Sequence, residues 1–227
     1  KAHRSNELNR PIGLGVSGLG NLVSLMDIPF TDMSKIDYTK NPYSREALLK
    51  RTLNPDLLDL VWKIWGCMYY NALVSSMEEA RRFGAYPNFR GSPLSKGITS
   101  YKMYENEAKE MNRHLYVKTT PPDPSIWGGK YSWDELLSLV QKYGVRNCLM
   151  LTCMPTASSA SVLGNSESTE LYTQNFYLRR LMSGEYPVFN NHMVQEFQKN
   201  GMWNEDITQD PDGSILSVPE DGLSEEK

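Results

Sequence analysis

Thr156-Ala157-Ser158-Ser159 is the segment whose residue types could do chemistry, and that chemistry is anion binding. The residues before it, Cys148-Leu149-Met150-Leu151-Thr152, read as a buried strand, a short apolar run between Asn147 and Pro155. Thr156 to Ser161 then opens a helix that continues through Val162 and Leu163. A strand feeding a helix through small hydroxyl residues makes an anion site. The first N–H groups of a helix lack intrahelical partners, and the dipole favours negative charge there. Ala157 keeps the turn uncrowded, Pro155 fixes the approach, and Thr156, Ser158 and Ser159 add hydroxyl donors. A phosphate would then be bound without any lysine. The same residues can also serve as a helix cap alone.

Other reactive residue types are less promising. Cys67, Cys148 and Cys153 are an odd number without tight metal spacing, which predicts reduced thiols, some of them in the core. His3, His114 and His192 lie far apart, and none is at ligand spacing from a cysteine, so no metal site is expected. Gly13-x-Gly15-x-x-Gly18 matches the dinucleotide fingerprint by letter. That fingerprint needs a full strand before its first glycine, and Asn9-Arg10-Pro11-Ile12 is a poor one. Close backbone packing is the better reading, and a nicotinamide-dependent oxidoreductase, to be checked by cofactor binding, is the weaker.

The elements that must position these residues are punctuated clearly in places. Ile12 to Val16 predicts a short strand or turn, and Leu19, Leu22, Val23 and Met26 have helical spacing. Asn54 can cap a long helix with Pro55 and Asp56 in its first turn. Its apolar face is predicted as Leu57, Val61, Ile64, Trp65, Met68, Ala72 and Leu73, with Arg81 and Arg82 in the last turn and Gly84 as its stop. A helix of about 27 residues would run roughly 40 Å, long enough to brace a large barrel. Ser132 and Glu135 form a capping box for a second helix with Leu136, Leu137 and Val140 inward and Gly144 at its end. Glu105 to Pro124 is polar and ends in prolines, so an exposed, mobile surface excursion is expected. The tail from Asn204 is acidic, with a turn at Asp210-Pro211-Asp212-Gly213.

The bulk numbers exclude some classes. At 227 residues the chain fits one domain or a large part of one, and 40% apolar content suits a soluble globular protein. A net charge of -3 argues against a broad nucleic-acid surface. No apolar run approaches the roughly 18 residues of a membrane span, and the start lacks the apolar run of a signal peptide. A cytoplasmic location is therefore expected. With Lys1 in place of an initiator Met, and no closing element at Ser224-Glu225-Glu226-Lys227, the sequence reads as either an excerpt or a natural split protein.

Met154-Pro155-Thr156-Ala157-Ser158-Ser159-Ala160 followed by Leu163-Gly164-Asn165-Ser166-Glu167-Ser168 is very similar to the stretch that binds substrate phosphates in class I ribonucleotide reductase large subunits. The similarity runs on through Tyr172-Thr173, Asn175, Tyr177, Arg179-Arg180 and Ser183-Gly184-Glu185. Arg10-Pro11-Ile12-Gly13-Leu14-Gly15-Val16, Gly91-Ser92-Pro93-Leu94-Ser95-Lys96-Gly97 and Tyr143-Gly144-Val145-Arg146-Asn147 match in the family's order. Residues 34–54 and 105–124 depart from the pattern and read as insertions.

This resemblance implies an α/β fold, with residues 1–227 supplying an incomplete later part of the family's ten-stranded α/β barrel. It implies a reaction in which the ribose 2′-hydroxyl of a ribonucleoside diphosphate is replaced by hydrogen through thiyl-radical chemistry. Pro155, Thr156, Ala157, Ser158 and Ser159 would bind the substrate phosphates. The radical would come from a metal-containing small subunit, with no cofactor or metal held by this chain. Thioredoxin or glutaredoxin would restore the reducing cysteines, and the rest of the large subunit would complete the site. Nucleic acid and membrane are not expected partners.

The family's radical cysteine lies in an Asn-x-Cys-x-Glu loop, which none of the three cysteines here fits: Arg146 and Met150 flank Cys148, Trp65 and Tyr69 flank Cys67, Leu151 and Pro155 flank Cys153. No catalytic residue is therefore expected in this chain. The alternative function is a split or truncated fragment, inactive alone and acting only as a complementing piece. Tyr69-Tyr70 resembles the family's radical-relay tyrosine pair by letter. It falls inside the long helix, where aromatic pairs usually serve packing.

Overall fold

The computed structural model describes residues 1–36, 52–111, 118–172, 174–182, 184–201 and 203. In chain order its main elements are helices α1 (Ala2–Asn9), α2 (Leu19–Leu25), α3 (Pro55–Phe83), α4 (Ser100–Glu110), α5 (Trp133–Tyr143) and α6 (Ala157–Leu163), strands β1 (Phe176–Leu181) and β2 (Gly184–Phe189), and helix α7 (Asn191–Lys199). They belong to two compact units. One comprises Lys1–Gly15 and Ile28–Met154, the other Val16–Asp27 and the described residues from Pro155 onward. The acidic tail from Asn204, with its predicted turn, lies outside the described residues.

In the first unit α3 starts as its sequence dictates. Asn54 Oδ1 accepts the Asp56 N–H at 2.8 Å, Pro55 takes the first turn and Asp56 sits at the positive end of the dipole. The helix runs 29 residues, about 44 Å at the standard rise, until Gly84 stops it by donating its N–H to Ala80 O. The buried face differs from the predicted one. Leu57 and Leu73 are buried as expected, but Val61, Ile64, Trp65, Met68 and Ala72 are half-exposed, and the inner face holds Gly66, Tyr70, Ser76, Met77 and Ala80. The reason is tertiary. Tyr70 OH donates to Tyr131 O at 2.8 Å and accepts the Tyr131 N–H at 2.7 Å, and its ring meets Trp133 edge-on. The second turn-set of α3 therefore faces α5.

The core of this unit joins Tyr70, Leu73 and Met77 to Tyr86, Phe89, Leu136, Val140, Val145 and Met150. α5 carries the predicted capping box, with Glu135 N–H on Ser132 Oγ and Ser132 N–H on Glu135 Oε2. Its Leu136 and Val140 are fully buried, Leu137 is half-buried, and Gly144 ends it through an N–H bond to Val140 O.

Most of the described residues of the 105–124 stretch are exposed, as expected, among them Glu107, Lys109, Glu110, Lys118 and Thr120, but the stretch is more structured than a loose excursion. Residues up to Glu110 continue α4, whose Thr99 cap accepts the Lys102 N–H. Residues 112–117 lie outside the described set, as do 37–51 of the other proposed insertion. From Lys118 onward the chain is pinned to α3. Lys118 pairs with Asp59 at 2.7 Å and lies 4.3 Å over the Trp62 ring, while Trp62 Nε1–H donates to Thr120 O. The Lys118 and Lys63 ammonium groups hold the Asp59 carboxyl below the usual carboxylate range. Pro122 and Pro124 are buried, and Trp133 Nε1–H donates to Pro122 O at 2.7 Å. These two prolines are the exception to the expected exposure: a proline has no N–H to leave unsatisfied, so it can be buried against a helix face.

Gly66 sits inside α3 because Pro122 lies against it: a Cβ at Gly66 would overlap Pro122 Cγ, and would stand 2.7 Å from Pro122 Cδ. Gly66→Ala is expected to destabilise the chain. Overpacking costs roughly 1–3 kcal/mol, against about 1 kcal/mol gained in helix propensity. Urea unfolding followed by circular dichroism measures this. A variant with a raised midpoint would show that Pro122 yields without cost.

The predicted buried strand Cys148–Thr152 is instead an extended segment. Leu151 forms an isolated parallel bridge with Leu14, supported by Leu14 N–H to Met150 O and Thr152 N–H to Leu14 O. Only Met150 is fully buried; Leu149 is 64% exposed and Leu14 48%. A ten-stranded barrel is thus not seen among the described residues. Parallel strands are found in sheets whose faces are covered by helices, and the exposed side chains of Leu14 and Leu149 show that this segment is not covered in that way. Gly13 and Gly15 permit the approach, since Cβ atoms there would stand 2.6 Å from Thr152 Cγ2 and 2.6 Å from Thr152 O. That is the close-packing role expected of these glycines. Cys67 and Cys148 are half-buried and Cys153 exposed, all with free thiols, and Cys148 packs against the core cluster.

In the second unit Leu19 and Val23 of α2 are buried, while Leu22 and Met26 of the predicted face are exposed. β1 and β2 form an antiparallel hairpin in register from Phe176 opposite Phe189 to Leu181 opposite Gly184. Phe176 and Phe189 pack at 4.9 Å between ring centres, and Arg180 pairs with Glu185 at 2.7 Å. Pro187 is tolerated because this two-stranded sheet has only edge strands.

Candidate functional site

α6 begins where the sequence predicts, with Thr156 as its flanking residue. Thr156 has non-helical angles (φ −113°, ψ 28°) and makes no side-chain cap bond. Its carbonyl accepts the Ala160 N–H at 2.7 Å. The N–H groups of Ala157, Ser158 and Ser159 precede that first helical bond, so they lack intrahelical acceptors. The reading of these hydroxyls as a mere helix cap does not match this geometry. Pro155, Ala157, Ser158 and Ser159 are exposed, while Ala160 is buried and anchors the turn from beneath. Gly164 stops the helix in the left-handed conformation, φ 68°.

The Thr156 hydroxyl has a different job from its neighbours. Its Oγ1 accepts the Ser168 N–H at 2.8 Å and lies 3.2 Å from Ser17 Oγ. Ser158 and Ser159 are therefore the two hydroxyl residues left facing solvent, and Ser161 Oγ donates back to Ala157 O. Thr156 ties the helix start to the loop that follows it.

That loop is clasped by the start of α2. Gly18 N–H donates to Ser166 O at 2.9 Å, Gly20 N–H to Ser166 Oγ at 3.1 Å, and Ser166 N–H to Asn21 Oδ1 at 2.6 Å. Gly20 is required there, since a Cβ would stand 2.9 Å from both Glu170 O and Ser166 Oγ. Ser168 takes a left-handed backbone (φ 47°), and its buried Oγ has no hydrogen-bond partner. Such a conformation in a non-glycine residue costs of order 1 kcal/mol and persists only where its surroundings impose it. Burial pushes the Tyr172 hydroxyl up in pKa, and the bond from Asn21 offsets part of that shift.

Ser17, Asn21, Ser166, Ser168, Tyr172 and His192 were not singled out as site residues by local reasoning. Ser166, Ser168 and Tyr172 fall in family-like blocks, but the link between Asn21 and Ser166 spans 145 positions and leaves no periodic trace. Tyr69 and Tyr70 serve packing: Tyr70 is 1% exposed, and Tyr69 OH accepts the Ser100 N–H. Among the described residues no group of three or more His, Cys, Asp or Glu side chains could hold a metal ion, and no helix is long and apolar enough to cross a membrane.

Comparison with known proteins adds to this geometry. Residues 55–223 match the family model for the ribonucleotide reductase barrel domain. The chain is 37% identical over 222 residues to a ribonucleoside-diphosphate reductase large subunit of Danio rerio, covering 96% of this chain and 23% of that protein. It is 36% identical over 223 residues to the large subunit of Plasmodium falciparum, covering 97% and 23%, and 34% identical over 207 residues to that of Caenorhabditis elegans, covering 91% and 21%. The chain thus spans under a quarter of the length of these relatives. The family model covers well over half of the chain, and the chain belongs to the ribonucleotide reductase barrel-domain family.

Proposed function

We propose that this chain forms the substrate-phosphate part of a ribonucleoside-diphosphate reductase large subunit, which makes deoxyribonucleotides by thiyl-radical reduction. The observation that carries the reading is the coincidence of the family match with an uncapped, solvent-facing start of α6 at Pro155–Ser159. The N–H groups of Ala157, Ser158 and Ser159, with the Ser158 and Ser159 hydroxyls, offer donors to a diphosphate. Thr156 contributes by holding the turn. The radical would be generated in a metal-containing small subunit and reach a cysteine supplied by the rest of the large subunit. Thioredoxin or glutaredoxin would re-reduce the cysteines that deliver the electrons.

The chain alone is expected to be inactive, because no cysteine here sits in an Asn-x-Cys-x-Glu loop. The purified chain, mixed with small subunit, reductant and a ribonucleoside diphosphate, should yield no deoxyribonucleotide above the small-subunit blank. Turnover in that assay would place a radical cysteine among Cys67, Cys148 and Cys153 and overturn the assignment.

A further inference from the structure

We infer that Asn21 is the positioning residue of this phosphate seat, acting through the Ser166–Ser168 loop without touching substrate. The inference rests on the reading of Pro155–Ser159 given above. A backbone N–H can only donate, so the Asn21 atom 2.6 Å from Ser166 N must be the oxygen. That fixes the amide: Nδ2 points at Tyr172 OH (2.8 Å) and at His192 Nε2 (3.1 Å). With one acceptor and two donor hydrogens, the side chain uses every donor it has. It joins α2 to the loop, to the segment before the β hairpin, and to α7.

The consequence passes along the chain. Ser166 is two residues from Ser168, whose N–H holds Thr156 Oγ1 at 2.8 Å, and Thr156 sets the direction of the free N–H groups at the start of α6. Ser168 is the strained link, since its left-handed backbone needs restraint from both sides. Leu19 N–H to Ser168 O is long, at 3.4 Å, so the Ser166 anchor bears much of that restraint. Thr156 and Ser168 are joined by a single bond, and releasing Ser166 lets the donor fan turn away from the phosphates.

The test uses a large subunit carrying this chain in its matching stretch, with KM and kcat measured for a ribonucleoside diphosphate. Amide exchange is followed at Ser166 and Ser168. Asn21→Leu keeps the shape and removes all three bonds. KM is expected to rise about tenfold with kcat unchanged, as for the loss of one well-made hydrogen bond, and exchange at both amides should accelerate. Asn21→Asp should restore the parental KM, because its oxygens still accept from Ser166 N–H, the Tyr172 hydroxyl can turn to donate, and His192 donates once its Nε2 carries the ring proton. Should Asn21→Leu fail to fold, Tyr172→Phe removes one acceptor only and is expected to raise KM about threefold. A parental KM in Asn21→Leu or, failing its folding, in Tyr172→Phe overturns the inference. So does a fall in kcat at constant KM, or an Asn21→Asp protein as weak as Asn21→Leu. Ser159→Asp separates the two readings. If it weakens binding while Asn21→Leu does not, the seat stands and only the Asn21 role falls. If neither has any effect, the seat itself is wrong.

Discussion

A Ser159→Asp large subunit is expected to bind its ribonucleoside diphosphate at least a hundredfold more weakly than the parent. Ser159 is the third helical residue of α6, exposed beside the free N–H groups of the first turn. A carboxylate there meets the phosphates as a like charge. Two unit charges about 4 Å apart repel by about 1 kcal/mol in bulk water and about 4 kcal/mol at the effective dielectric of a protein surface. About 2.7 kcal/mol corresponds to a hundredfold loss. The new carboxylate also competes with phosphate for the helix dipole, an interaction of roughly 0.3–1 kcal/mol that favours the folded helix. Binding should therefore fall while thermal stability holds or rises, a combination that unfolding cannot produce. Ser158→Ala removes one hydroxyl donor and no charge, so its loss should stay near tenfold or below. Titration calorimetry with the diphosphate measures both. A Ser159→Asp protein that binds within twofold of the parent, with its helix content intact, would place the phosphates elsewhere.

Leu73→Ala is expected to cost about 2–5 kcal/mol of folding stability, the range for deleting a buried leucine where the cavity collapses only partly. Leu73 is fully buried on the inner face of α3, in the core shared with Leu136, Val140, Tyr86 and Phe89. Two helices and the turn after α3 close around it, which limits relaxation into the hole. That loss is a large fraction of the roughly 5–15 kcal/mol by which native proteins are stable. Val162→Ala is the control, because Val162 is 87% exposed and its truncation should stay within about 0.5 kcal/mol. Urea unfolding of both variants reads the difference in midpoint at constant slope. A Leu73→Ala change under about 1 kcal/mol would mean that this core is loosely packed.

The ends of the helices were legible because their signals are local. Asn54 with Pro55, Ser132 with Glu135, and the stops at Gly84 and Gly144 each act within four residues, so the chain states them without reference to its fold. The same holds for the start of α6 after Pro155 and for the family-like blocks. What could not be read was which neighbour each surface would meet. The inner face of α3 turned from Val61, Ile64 and Trp65 toward Tyr70 and Met77 because Tyr131, Trp133 and α5 arrive from 60 or more positions away. Gly66 looks like a flaw in a helix until Pro122 is seen against it. Leu149 read as buried by composition, yet the side chains of a strand are buried only where another layer covers the face they point to. The division of labour at the site is of the same kind. Residue type made Thr156, Ser158 and Ser159 look equivalent, three hydroxyls at a helix start. Ser168, Ser17 and, through Ser166, Asn21 set Thr156 apart, because hydrogen bonds across 139 and 145 positions are made by the folded chain and carry no period along the sequence.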